Sequence, residues 1–107
     1  MRDIMGMMQK AQEFQQKAQE IQGQAAATIV EGSAGAGMVV VSMTARGDLQ
    51  GVRIDPSLFK PEEAEILEDL LVAAHADARR KGEEFMAQKM SEITAGLPIP
   101  PGMKFPF

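Results

Sequence analysis

The sequence predicts an α+β domain of order α-β-β-β-α: a long N-terminal helix, a three-stranded antiparallel sheet and a long C-terminal helix, forming a dimer with projecting helical arms. Three observations lead there. Residues 2–27 and 61–95 are built of helix formers with apolar positions at helical spacing, whereas 28–55 is β-branched and broken by glycine. The second helical stretch, about 35 residues at ~1.5 Å each, makes a rod of roughly 50 Å, longer than a compact domain of this size. Finally, the strand around Val40 is apolar on both faces, and a strand of that kind must be covered twice. One small chain hardly supplies both covers, so self-association through the sheet is expected.

The first helix has no Pro, and its apolar residues fall into two registers seven apart, Ile4, Ala11, Ala18, Ala25 and Met7, Phe14, Ile21, Thr28. That is a narrow heptad stripe, wide enough for one partner helix. The rest of its surface is Gln with balanced charge. Close packing on another helix of the same domain explains the stripe better than a cofactor or a membrane, because the polar face lacks a Lys/Arg excess.

Three strands are expected at Thr28–Glu31, Met38–Thr44 and Leu49–Ile54, in an up-and-down meander. Gly32-Ser33-Ala34-Gly35-Ala36-Gly37 reads as a flexible connection between the first two, and Arg46-Gly47-Asp48 as a tight turn. The Gly-rich stretch is no phosphate loop: it lacks the Lys-Ser/Thr that follows the glycines of a P-loop and runs strand to strand. Met38, Val39, Val40, Val41, Met43, Val52 and Ile54 are the expected dimer interface.

Asp55-Pro56-Ser57 forms a turn, and Pro61 stands where a first helical residue is expected, followed by Glu62, Glu63 and Glu65 at the positive end of the helix dipole. Leu67, Leu70, Leu71, Ala74, Ala78, Gly82, Phe85, Met90 and Ile93 continue the helical spacing to about Ala95. Arg79-Arg80-Lys81, with Lys89 two turns on, is the densest positive charge in the chain. Its bland reading is internal pairing, since Arg79–Glu83, Arg80–Glu84 and Asp77–Lys81 all have i,i+4 spacing. The domain is expected to span residues 1–95. Residues 96–107 hold four Pro in twelve positions and form an extended tail whose Leu97, Ile99, Met103, Phe105 and Phe107 dock on the body or stay mobile.

Composition narrows the function. With 11 Lys plus Arg against 15 Asp plus Glu, the net charge is −4, which excludes a protein that coats nucleic acid by bulk charge. The acid is concentrated: the first helix is neutral, the strands carry about −1, the second helix −4 and the tail +1. There is no Cys and a single His, His75, so thiolate and multi-His metal sites are absent and acid–base chemistry is thinly supplied. No cofactor, small-molecule substrate or membrane partner is expected, and a cytoplasmic location is.

Gly35-Ala36-Gly37 entering Val39-x-Val41, then Gly47, then Val52-x-Ile54-Asp55-Pro56-Ser57 resembles the YbaB/EbfC family of bacterial nucleoid-associated proteins. Leu67-Glu68-Asp69-Leu70-Leu71-Val72-Ala73-Ala74 and Gly96-Leu97-Pro98-x-Pro100-Pro101-Gly102 are similar to two further stretches of that family. The resemblance implies a sheet-mediated homodimer with paired helical arms that binds duplex DNA, affects nucleoid organisation and gene expression, and has no catalytic activity. One departure is Lys60, where an Asp is expected before Pro61; a lost side-chain cap costs about 1 kcal/mol and shifts or frays the helix start. The candidate DNA contacts are Lys10 and Lys17 on the first helix and Arg79, Arg80, Lys81 and Lys89 on the second, as phosphate-positioning cations. The rival reading is a helical-hairpin protein-binding adaptor or holdase-like clamp, motivated by the acidic balance and the nine adaptable Met.

Overall fold

The structure, a computed structural model, describes residues 2–95. Its elements are α1 (Arg2–Ala27), β1 (Ile29–Ala34), β2 (Val39–Thr44), β3 (Leu49–Ile54) and α2 (Ala64–Ala95). The strands form an antiparallel meander in the order β1-β2-β3. The α+β architecture thus has the element order expected from the sequence; the tail, with its docking residues, lies outside the described residues.

β1 runs further than its composition suggests. Gly32, Ser33 and Ala34, expected in the connection, pair with Val41, Val40 and Val39. Gly32 is in the strand because α2 crosses β1 there: a Cβ at this position would run into the backbone of Ala74 and Ala78. The glycine serves a close approach of helix and strand, and only the turn after Ala34 uses conformational freedom. Gly35, Ala36 and Gly37 have φ of 63°, 55° and 90° in succession.

Register places Val30, Gly32, Ala34, Val39, Val41, Met43, Val52 and Ile54 on one side of the sheet. α2 lies across that side over β1 and β2 rather than β3. Its Ala74 and Ala78 are fully buried against Val39, Val41 and Met43, with Leu58 closing the end of the core. Small residues on the helix let it sit close to the β-branched sheet surface, where packing is dense. On the opposite side, Val40 is half-buried beside Ser33 and Arg53, and Ser42 donates a 3.3 Å hydrogen bond to Glu31.

Two turns carry the chain into α2. Asp55 accepts a 2.9 Å hydrogen bond from the Ser57 N–H, starting one 3-10 turn at Pro56–Leu58. Pro61–Glu63 forms a second, and the α-helix proper begins at Ala64, not at Pro61 as the sequence suggests. The cause is local: Lys60 is the N-cap and makes no side-chain cap hydrogen bond.

The helices make the molecule long. Its extents are 71 × 27 × 16 Å and its radius of gyration 19.6 Å, against about 13 Å for a compact chain of 100 residues. Beyond Gly82, which packs on Ala45 at the β2–β3 turn, α2 leaves the sheet and pairs with α1. That same turn anchors α1: the Ala45 N–H donates to the carbonyls of Ala25 and Thr28 at 3.0 and 2.9 Å. Gly47 (φ 107°) and the Thr44–Asp48 hydrogen bonds tighten it.

Candidate nucleic-acid interface

A DNA-facing surface needs cations free to meet phosphates. The described cations divide sharply by helix. Lys10 and Lys17 stand seven residues apart, hence on one side of α1, about 10 Å apart along its axis. Both are exposed and, among the described residues, neither has an ion-pair partner. Beside them, Gln9, Gln12, Glu13, Gln15, Gln16 and Gln19 line a shallow polar surface of the same helix.

The α2 cations are engaged. Arg80 bridges Asp77 and Glu84, both at 2.7 Å. Lys81 reaches Asp77 at 3.4 Å and donates a 2.8 Å hydrogen bond to the Glu31 carbonyl of β1. Asp77 also accepts from the Ser33 N–H at 3.0 Å. Arg80, then Ser33 and more weakly Lys81, hold the Asp77 carboxyl below the ordinary carboxylate range. This group therefore ties α2 to the edge strand β1. Lys89 lies 3.8 Å from Glu92 and over the Phe85 ring at 5.7 Å. Arg79 lies 3.7 Å from an exposed Glu83; such surface pairs contribute roughly 0–1 kcal/mol and exchange readily.

The six expected contacts therefore do not form one patch. Lys10 and Lys17 lie on the α1 arm, whereas Arg79, Arg80 and Lys81 sit where α2 crosses the sheet. Their i,i+4 spacing signals this internal pairing. Arg46 and Arg53, outside the six expected contacts, are exposed and also lack an ion-pair partner among the described residues. Arg46 lines the groove between the helices; Arg53 stands opposite Val40 on the sheet's open side.

The expected interface needs correction as well. Val39, Val41 and Met43 are 0–1 % exposed, covered by α2 of the same chain, and offer no surface to a partner. Met38, Val40 and Ile54 are half-buried and Val52 is exposed. Exposed large apolar residues outside the expected interface include Ile29, Leu49, Phe59, Ile66, Leu71 and Val72. For those on α2 the signal was the width of its stripe, whose Ile66, Leu71 and Val72 exceed what a three-stranded sheet can cover.

His75 is exposed, and no group of three His, Asp or Glu that could hold a metal occurs among the described residues. No described helix is long and apolar enough to cross a membrane.

The model of the YbaB/EbfC DNA-binding family matches residues 1–97. The chain belongs to that family. It is 57 % identical to the nucleoid-associated protein Atu0095 of Agrobacterium fabrum and 53 % identical to the nucleoid-associated protein R00231 of Rhizobium meliloti, over the full length of every chain. An uncharacterized protein from Helicobacter pylori has a similar crystal structure, with a TM-score of 0.67 at 26 % identity, covering 80 % of this chain and 89 % of that one. YbaB/EbfC membership makes this a DNA-binding protein and not an enzyme.

Proposed function

We propose that the chain is a nucleoid-associated homodimer that grips the phosphate backbone of duplex DNA with its α1 arms, contributing to nucleoid organisation and regulation of gene expression. The observation that carries this reading is the pair of unpaired lysines, Lys10 and Lys17, on one side of a projecting helix. Arg79 and Lys89, with carboxylate partners at 3.7 and 3.8 Å, add more readily exchanged cations, while Arg80 and Lys81 contribute less because both are held more closely at Asp77. Flexible ammonium groups position a protein on DNA without reading sequence. Homodimerisation is supported by β3, whose Leu49 and Val52 stay exposed because α2 lies over the other two strands, and by exposed Phe59 and Ile66. Exposed large apolar residues of this kind favour association with a partner surface.

The test is duplex binding by the purified full chain across a salt series. Each neutralised phosphate contributes about 0.9 to the log–log slope, so removing two lysines from each of two chains flattens it by about 3–4. The Lys10→Ala/Lys17→Ala variant shows that flattening, and Arg80→Gln shows little. Absence of binding at low salt, or an unchanged slope in the lysine variant, overturns the reading. Light scattering gives twice the 11.6 kDa chain mass at micromolar concentration; a monomeric mass rejects the dimer.

A further inference from the structure

β1 is an edge strand: it pairs with β2 on one side, and among the described residues no strand lies on the other. An edge strand carries a row of outward N–H and C=O groups, a template on which a strand of another chain can add. On β1 two of these groups are already taken, and by side chains. The Ser33 N–H donates to Asp77 Oδ2 at 3.0 Å, and the Lys81 ammonium donates to the Glu31 carbonyl at 2.8 Å. Asp77 and Lys81 stand one turn apart on α2, 3.4 Å from each other. Together they offer one acceptor and one donor to the groups flanking Gly32, as a single residue of a parallel neighbouring strand does.

This placement follows from the close crossing of α2. Gly32 lets the helix approach until only a hydrogen fits beneath the backbone of Ala74 and Ala78, which brings positions 77 and 81 to the outer rim of the strand. Arg80 holds the other oxygen of Asp77 at 2.7 Å and is itself held by Glu84 at 2.7 Å. The carboxylate is thus fixed from two sides, and at 24 % its side chain is much less exposed than Glu83, Glu84 or Glu92 in the other pairs. β3, the opposite edge, has nothing comparable: among the described residues no side chain hydrogen-bonds to its backbone.

We propose that Asp77 and Lys81 close the β1 edge against a second copy of this chain, by occupying the backbone groups to which that copy's β1 would otherwise pair. A second copy is the relevant partner because two identical edges are self-complementary about a two-fold axis. Uncapped, this edge would be well suited to pairing: β1 contains no Pro and no Lys, and its Ile29 is 53 % exposed. The edge lies on the opposite side of the sheet from Leu49 and Val52 of β3, so its closure is independent of the homodimer surface proposed above.

The test compares masses of full-chain variants by light scattering at micromolar concentration. Asp77→Ala/Lys81→Ala reaches at least about twice the mass of the unmodified chain, whatever that mass is. Asp77→Asn keeps an acceptor for the Ser33 N–H and keeps the unmodified mass. Adding Ser33→Pro to the double variant removes the outward N–H without breaking a bond to β2, and restores the unmodified mass. An unchanged mass in the double variant overturns the proposal. So does association that Ser33→Pro fails to reverse, which assigns it to unfolding, or equal association in Asp77→Asn, which assigns it to lost charge. Hydrogen exchange on the unmodified chain gives a readout free of variants. The Glu31 N–H faces the same edge as its carbonyl but has no side-chain acceptor among the described residues. Corrected for intrinsic rates, the Ser33 amide exchanges at least ~10-fold more slowly than that of Glu31. Equal rates overturn the cap.

Discussion

Gly32→Ala tests the closest contact of the fold. The added methyl would stand 2.8 Å from the Ala78 Cα and closer still to the Ala74 carbonyl oxygen and Ala78 nitrogen. All three are backbone atoms of a helix interior, so no side chain can rotate away. Relief requires α2 to retreat by on the order of 1 Å, and a gap of that size forfeits a quarter to a half of the dispersion well for each facing pair. Those pairs involve Ala74 and Ala78 against Val39, Val41 and Met43, the buried centre of the domain. Overpacking usually costs about 1–3 kcal/mol, and a purely backbone clash belongs at the upper end, about 3 kcal/mol. With a urea m-value of about 1.5–2 kcal/mol/M, the unfolding midpoint falls by about 1.5–2 M, measured at fixed protomer concentration because the proposed dimer couples stability to concentration. Two glycines calibrate the measurement. A Cβ at Gly51 meets nothing within 4 Å, so Gly51→Ala leaves the midpoint nearly unchanged. At Gly82 it meets the Ala45 carbonyl oxygen at 2.9 Å, a milder clash partly offset by ~1 kcal/mol of helix propensity, which places Gly82→Ala between the two. A Gly32→Ala midpoint no lower than that of Gly51→Ala refutes the reasoning.

Other expectations concern charge and turn geometry. The Asp77 carboxyl is held below its ordinary range chiefly by Arg80 and then by the Ser33 N–H; its stabilising contribution is therefore full above the unfolded carboxylate pKa of about 3.9 and is lost as pH falls through the lowered value. Asp77→Asn accordingly weakens the chain at pH 7 and narrows the difference between urea midpoints at pH 7 and pH 3; an unchanged difference refutes this. Ala36, at φ 55°, sits in the left-handed region, where a non-glycine residue costs about 1–2 kcal/mol. Glycine removes that strain but adds about 0.4–1 kcal/mol of unfolded-state entropy, so Ala36→Gly raises stability by about 0.5 kcal/mol in a thermal melt. A lowered melting temperature contradicts the assignment of strain.

Element order and type were legible because they depend on local pattern. The heptad stripe of α1, the β-branched run of β2 and the Leu/Ala spacing of α2 each specify an element through its own periodicity. Gly32 reads as a loop residue because periodicity carries no record of what crosses above a strand; only the packed helix shows why a Cβ is excluded. The candidate site divides in the same way. That α2 holds a basic cluster is a statement about sequence, and i,i+4 spacing even indicates the partners of Arg79 and Arg80. That Lys81 donates to a carbonyl of β1, and that Ser33 shares Asp77, depends on groups 50 and 44 residues away.

Short-range periodicity and residue chemistry dictate the α-β-β-β-α order, the excess length of the helices and the apolar faces that need cover. The tertiary structure decided which face α2 covers, which cations remain free and how much of the α1 stripe lies bare. Those depend on which distant atoms meet: burial consumes Val39, Val41 and Met43 within the chain, and pairing holds Arg80 and Lys81. The net charge of −4 is distributed accordingly, leaving Lys10 and Lys17 on the α1 arm without an ion-pair partner among the described residues.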